Sequence, residues 1–117
     1  MTQARLVAGD RTVSSAVSVA DTALPRMKGL LGRRTLDPCE ALLLRPAGSV
    51  HTAFMHFPID VVFVDADLRV LRVVANLRPW RIAAQRGAKA VVELPAGKAE
   101  DVGLAVGMTL ELAGTGS

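Results

Sequence analysis

The chain is poor in the residues that mark many functional sites. Its 117 residues include one cysteine, one tryptophan, three phenylalanines and no tyrosine. The single Cys39 cannot form an internal disulfide, which is consistent with a reducing compartment. The longest stretch without Asp, Glu, Lys or Arg runs from Pro46 to Ile59, well short of the ~20 apolar residues that a membrane helix needs. The N-terminus lacks the apolar segment of a secretory signal. We therefore expect a soluble, cytoplasmic protein without a membrane span.

Patterns that would identify a reaction are also missing. His51 and His56 are five residues apart, a spacing that places them on opposite faces of a strand and far apart around a helix. No His-x-x-x-His or Cys-x-x-Cys pattern exists to complete a metal site. The chain also lacks a Gly-x-Ser-x-Gly motif and a phosphate-binding loop. We predict no metal and no cofactor, and the sequence identifies no catalytic residue.

The charge balance argues against a nucleic-acid partner. The net charge is +3, and the basic residues are scattered along the chain. Modules that bind nucleic acids usually cluster their basic residues or interleave them with aromatic residues. In this chain most aromatic residues are not interleaved with the basic residues. The partner is therefore expected to be an unknown small molecule or a protein.

Hydrophobic patterning predicts a mainly β fold. Half of the residues are hydrophobic and 21% are charged, which is typical of a folded core. Gly9-Asp10 between the runs Gln3–Ala8 and Thr12–Val19 predicts a hairpin, and Asp65-Ala66-Asp67 before the run Leu68–Asn76 predicts a second one. The segment Ile59–Val64 is apolar on both faces, which predicts an interior strand. Further strands are predicted at 41–44, 50–57, 59–64, 68–76, 90–94 and 109–112. Short helices are predicted at 22–32 and 98–102.

These elements predict one domain over residues 1–117, with a core of roughly 4–112 and a frayed tail at 113–117. Many short strands separated by turns favour a compact antiparallel β-sandwich, a jelly-roll-like fold or a distorted barrel, with one or two short helices. A parallel α/β fold would need more helix between its strands.

Four motifs in a fixed order resemble the Domain of Unknown Function 192 family of small bacterial and archaeal proteins. They are Arg26–Arg33 (RMKGLLGR), Met55–Asp65 (MHFPIDVVFVD), Glu93–Gly97 (ELPAG) and Gly103–Met108 (GLAVGM). The resemblance covers roughly residues 4–112. It implies a compact, mostly β, jelly-roll-like domain and assigns no activity. Two features depart from the family pattern: we expect no export signal here, whereas many members carry one, and His56 stands where members often have Lys or Arg.

The stretch Val50–Asp65 is the best candidate for a site. It gathers three of the four aromatic side chains and both histidines at the start of an apolar run. Apolar segments rarely carry so many polar groups unless a pocket or a buried hydrogen-bond network needs them. The predicted ligand-binding residues are Phe54, Met55, His56, Asp60 and Trp80. The predicted supporting residues are Arg26, Arg78 and Arg81.

Each residue also has a structural interpretation. Asp60 either fixes the bend at Pro58 by accepting amide hydrogen bonds or forms a polar pair with His56 for a ligand. Trp80 is either a plug over one end of the core or a platform on which a ligand stacks. Glu93 is expected to face away from the apolar side and pair with a surface arginine. Cys39 is expected to be a buried, inert thiol.

The sequence favours a non-enzymatic binding or accessory module with a shallow pocket. The alternative is a small hydrolase-type enzyme in which His56 acts as a base with Asp60 or Cys39. A third possibility is a structural interaction domain, which predicts a flat apolar patch and no cleft.

Overall fold

The computed structural model describes residues 2–20, 37–52 and 56–114. Over these ranges the chain forms nine strands and one short helix. The elements are β1 (Thr2–Ala8), β2 (Arg11–Ala20), β3 (Glu40–Leu44), β4 (Ser49–His51), β5 (Ile59–Val64), β6 (Val70–Leu77), β7 (Ile82–Ala84), β8 (Ala90–Pro95), α1 (Lys98–Asp101) and β9 (Glu111–Gly114). The prediction of a mainly β fold is confirmed.

Seven strands form one sheet in the order β6-β5-β8-β3-β2-β1-β9, and β4 pairs with β7 in a separate two-stranded sheet. Neighbouring strands are antiparallel except β2 and β3, which run parallel with Ala16 opposite Glu40. This pair departs from the predicted antiparallel arrangement. Parallel neighbours need a crossover connection of a dozen or more residues, and the chain between Ala20 and Glu40 has that length.

Turn chemistry explains the two predicted hairpins, and both are confirmed. Gly9, at φ 64°, makes the turn between β1 and β2, a backbone conformation that glycine adopts without steric cost. Between β5 and β6, the Asp65 carboxylate accepts hydrogen bonds from the amides of Asp67 and Arg69 at 2.8 and 2.9 Å. Hydrogen bonds that an aspartate accepts from the amides just after it stabilise tight turns.

The seven-stranded sheet separates two apolar clusters because successive residues of a strand face opposite sides. In β5, Val62 and Val64 belong to the first cluster. Ile59, Val61 and Phe63 belong to the second. All six residues of β5 are buried, so both faces of this strand are covered. The first cluster also includes Leu6, Val13, Val17, Leu43, Val92, Leu94 and Leu110.

The outer strands of the sheet meet at one end. The amide of Val70 donates to the carbonyl of Met108 at 2.7 Å, and the amide of Leu110 donates to the carbonyl of Leu68 at 2.9 Å. These segments lead into β6 and β9, the two edges of the sheet. The sheet therefore curves around the first cluster.

Several boundaries differ from the predictions. Strand β7 was not predicted, because three residues inside an irregular stretch carry too little periodicity. Strand β9 includes Ala113 and Gly114, so the tail predicted at 113–117 began two residues too early. The helical turn at 98–102 is confirmed as α1, and Gly103 follows it at φ 70°. The helix predicted at 22–32 lies outside the described residues.

None of the described helical segments is long and apolar enough to cross a membrane. The cytoplasmic location stays a prediction.

Candidate functional site

A thin layer of chain lies over the second cluster. We call it the covering layer and define it as β4, Thr52, Phe57, residues 78–81 and β7. Val50 and Ala83 face inward and join the second cluster, as does Phe57. His51 and Ile82 lie opposite each other in the two strands and are exposed. The covering layer is therefore apolar beneath and accessible above.

The covering layer is joined to the sheet at two places. Just before β4, the Ala47 amide donates to the carbonyl of Lys89, the residue that precedes β8, at 3.0 Å. Just after Phe57, Ile59 is paired with Pro95 at the other end of β8. The side chains that β3, β5 and β8 contribute to the second cluster therefore lie beneath the candidate site.

Thr52 fixes the loop that follows β6. Its side chain is fully buried, and its hydroxyl Oγ1 donates to the carbonyl of Arg78 at 2.6 Å and accepts the amide of Arg81 at 2.8 Å. The Trp80 amide donates to the Thr52 carbonyl at 3.0 Å, and the Thr52 amide donates to the Arg81 carbonyl at 2.9 Å. Four hydrogen bonds from one residue therefore hold the loop in a single shape.

Trp80 is presented to solvent by this fixed loop. Its side chain is 61% exposed, so the interpretation of Trp80 as a plug over the core is wrong. The backbone has φ 64°, a left-handed conformation that bulky residues seldom adopt. Residues held in such conformations cluster at binding and catalytic sites. The geometry fits the alternative interpretation, an aromatic platform.

The remaining predicted site residues divide into three groups. His56 is exposed beside the buried Phe57. Arg78 and Arg81 are exposed, and Arg81 folds back so that Nη1 donates to the Trp80 carbonyl at 3.4 Å. The others, Phe54, Met55 and Arg26, lie outside the described residues.

Asp60 is fully buried and binds only backbone amides among the described residues. Its Oδ1 accepts the amide of Asn76 at 2.8 Å. Its Oδ2 accepts the amides of Gly97 at 3.0 Å and Ala99 at 2.9 Å. These contacts match the structural interpretation, with one difference. The donors come from β6 and from the turn into α1, not from the bend at Pro58.

Asp60 also faces away from the covering layer. In β5 it alternates with Ile59 and Val61, which belong to the second cluster. Its carboxylate therefore lies on the α1 side of the sheet and reaches no solvent. Asp60 ties together three segments that frame the candidate site, but it offers no surface to a ligand.

Glu93 contradicts its prediction. The side chain is only 4% exposed. It shares a strand face with Val91 and lies opposite Leu42 and Val61 in the neighbouring strands. This places it beneath the covering layer. Burial away from water raises the pKa of Glu93 from 4.5 to about 7.

Cys39 is also unlike its prediction, because the residue is exposed. It precedes β3, and its carbonyl accepts the Ala16 amide at 3.1 Å. The hydrolase alternative needs His56 within hydrogen-bond reach of Asp60 or Cys39. Over the described ranges His56 makes a hydrogen bond to neither. Nor do the described side chains form a group of three or more metal-ligating residues that could hold a metal ion.

Sequence reasoning missed Thr52, which shapes the site, and predicted the wrong environment for Glu93. Thr52 carried no local signal, because its partners are 26 and 29 residues away. Glu93 did carry one. It is a charged residue inside the run Val91–Leu94 of an apolar strand, where both faces turn out to be covered.

Comparisons with known proteins agree with this fold. The family model DUF192, described as "Uncharacterized ACR", matches residues 5–112. A UPF0127 protein from Pyrococcus furiosus is 36% identical over 99 residues, covering 81% of this chain and 84% of the relative. A UPF0127 protein from Thermococcus sibiricus is 34% identical over 86 residues, covering 69% of this chain and 55% of that relative.

One solved structure is similar over nearly the whole chain. It is a crystal structure from Sinorhizobium meliloti, of a protein described as a candidate transcription regulator. Its TM-score is 0.81 at 25% sequence identity, and the superposition covers 94% of this chain and 92% of the other.

Proposed function

The chain belongs to the DUF192 family, and we propose that it is a small-ligand-binding module whose ligand lies against the indole of Trp80. The proposed contact residues are His56 and Trp80, together with Phe54 and Met55 from the same stretch of sequence. Asp60 supports them by joining β5 to β6 and to the turn into α1. Arg26, Arg78 and Arg81 are the proposed supporting cations.

The exposure of Trp80 carries the proposal. Burying a large apolar side chain contributes about 1.5–3 kcal/mol to folding, and a side chain that is 61% exposed forgoes much of that. The Thr52 hydrogen bonds nevertheless hold the loop in place. Because the backbone that carries the ring is already ordered, a ligand that stacks on the ring does not have to order the loop.

The description of the Sinorhizobium protein raises a nucleic acid as another partner. A tryptophan between two arginines suits base stacking. The other exposed arginines of the described ranges, however, are spread over several elements: Arg5 on β1, Arg11 on β2, Arg45 after β3, Arg69 before β6, Arg72 on β6 and Arg86 after β7. Within these ranges the arginines do not form the single basic stripe that tracks a phosphate backbone, so we favour a small ligand.

Trp80 supplies its own assay, because the chain has one tryptophan and no tyrosine. Intrinsic fluorescence therefore reports on this loop alone. We would screen a metabolite library, and a short single-stranded oligonucleotide, for changes in Trp80 emission. Compounds that change it would then be tested for thermal stabilisation of the wild type, Trp80→Ala and His56→Ala.

Val106→Ala is the matched control. Val106 is 67% exposed, and its neighbour Gly107 donates to Val70 at the start of β6, whereas Trp80 follows the end of that strand. We expect a small molecule to stabilise the wild type and Val106→Ala by similar amounts, and Trp80→Ala much less. Equal stabilisation of all variants would place the ligand elsewhere. Emission that responds to the oligonucleotide alone would favour a nucleic-acid partner.

A further inference from the structure

Strand β7 has a strand neighbour on one side only. It pairs with β4 in the two-stranded sheet, and the described part of the chain provides no strand on its other side. Its first residue, Ile82, is 80% exposed, more than any other large hydrophobic side chain in the described ranges. Exposed strand edges of this kind are places where another chain can add a strand.

The hydrogen-bond register identifies the backbone groups that lie at this edge. In an antiparallel pair, residues that exchange hydrogen bonds alternate with residues that do not. The Thr52 amide donates to the carbonyl of Arg81, which directly precedes Ile82. The N–H and C=O groups of Ile82 and of Ala84 therefore point away from β4. The Ala84 carbonyl confirms this direction, because it accepts Nη1 of Arg72 from β6 at 2.9 Å.

The Arg72 contact places the free edge of β7 above β6. Arg72 lies opposite Phe63 of β5, and Phe63 belongs to the second cluster. Because opposite residues of paired strands share a face, Arg72 leaves the sheet on the side of the covering layer. Val74 and Leu77 of β6 pack against the same cluster and are only half-buried. A strand added to the free edge of β7 would lie over these apolar side chains.

The charges around the edge favour an acidic partner. Residues 68–92, which include β6 and β7, contain six basic residues and no Asp or Glu. Residues 41–59, which include β4, also lack Asp and Glu. Arg72, Arg78 and Arg81 are exposed, so this surface attracts anionic groups. A second copy of the chain would bring the same arginines together, and that repulsion disfavours self-association.

We propose that the free edge of β7 is a docking site for an extended, acidic segment of a partner protein, which adds as a strand beside Ile82. The backbone of the segment pairs with the outward N–H and C=O groups of Ile82. An apolar side chain of the segment contacts Ile82, and its acidic side chains meet the surrounding arginines. This inference goes beyond the proposed function, because it concerns a protein partner and does not depend on a ligand at Trp80.

Three labelled octapeptides test the chemistry of the partner. The first alternates glutamate with valine, and the second has lysine in place of each glutamate. The third has proline in place of each valine, which removes amide donors and disfavours strand pairing. In fluorescence anisotropy, we expect the glutamate–valine peptide to bind roughly tenfold more tightly than either of the others. A labelled single-stranded oligonucleotide is the corresponding nucleic-acid probe.

Two substitutions of Ile82 test the edge itself. Ile82→Thr keeps a β-branched side chain but removes part of the apolar contact. Ile82→Pro removes the outward N–H, a change that an edge strand tolerates. We expect each to weaken binding of the glutamate–valine peptide roughly fivefold to tenfold. Far-UV circular dichroism establishes that the variants are folded. Val106→Ala, which changes another exposed apolar side chain, is the matched control and should bind like the wild type.

Hydrogen exchange locates the added strand on the wild-type protein. The glutamate–valine peptide should slow exchange at the amides of Ile82 and Ala84, which point outward. The amide of Ala83 points toward β4, so its exchange should change least within this strand. Equal slowing at all three amides, or no slowing at Ile82, would contradict strand addition at this edge.

The outcomes separate this inference from the proposed function. If no octapeptide binds at millimolar concentration, the docking site is wrong, and the metabolite screen decides the small-ligand proposal separately. Equal binding to the wild type and both Ile82 variants would also overturn the docking site. Tighter binding of the lysine–valine peptide would overturn the acidic partner, and binding of the oligonucleotide alone would assign the arginines to a nucleic acid. Weakened peptide binding in both Ile82 variants would support the docking site even if the metabolite screen found no ligand.

Discussion

Replacing Glu93 with glutamine is predicted to change how stability depends on pH. The carboxyl pKa is about 7 in the folded protein and 4.5 at its ordinary value. The folded state therefore holds the Glu93 proton more tightly than the unfolded state. This contribution to stability is complete below pH 4.5 and is lost as pH rises toward and through about 7. Glutamine does not titrate, so the variant lacks this loss.

The magnitude follows from the two pKa values. Each pKa unit corresponds to about 1.4 kcal/mol, so the interval from 4.5 to about 7 gives roughly 3 kcal/mol. Relative to the wild type, Glu93→Gln should gain about that much unfolding free energy between acidic and mildly alkaline pH. For a domain of this size the corresponding relative gain in Tm is about 10 °C.

Urea denaturation followed by far-UV circular dichroism measures the difference at a series of pH values. Both proteins carry the same histidines and other carboxylates, so subtracting their curves isolates position 93. We expect the difference to change between about pH 5 and pH 7 and to be flat above about pH 8. Curves that stay parallel throughout would refute the assignment of a buried carboxyl with a raised pKa.

Three further substitutions test the hydrogen bonds and the backbone conformation that support the candidate site. Asp60→Ala should lower the unfolding free energy by about 3–5 kcal/mol, because three amides lose their carboxylate acceptor; urea midpoints check this. Thr52→Val should cost about 1–3 kcal/mol and speed hydrogen exchange at the Trp80 amide, and unchanged exchange would contradict the role of Thr52. Gly97→Ala should cost about 1–2 kcal/mol in thermal unfolding, because residue 97 has φ 92°.

Local patterns were sufficient for most of the strands. Alternation and turn residues located both hairpins, and the segment Ile59–Val64, which is apolar on both faces apart from Asp60, correctly indicated an interior strand. The parallel pairing of β2 with β3 could not be predicted, because it depends on contacts between segments far apart in sequence. Strand β7 owes its existence to pairing with β4, which the irregular local sequence does not reveal.

The site was less accessible to sequence reasoning for the same physical reason. The amide donors to Asp60 are 16, 37 and 39 residues away, so only its burial could be anticipated. Glu93 was assigned to a solvent face because alternation assumes that one side of a strand meets water. The covering layer removes that water. The sequence could not decide whether Trp80 plugs the core or faces outward, because the hydrogen bonds that hold its loop come from Thr52, which is distant in sequence.

The central claim is that a small ligand binds against the indole of Trp80. A two-dimensional ¹H–¹⁵N NMR titration with a compound that changes Trp80 emission tests it most directly. We predict saturable shifts at the Trp80 indole and at the amides of Thr52 and His56, with Val106 and Gly107 unchanged. Shifts concentrated around Val106, or spread evenly over the chain, would contradict the claim.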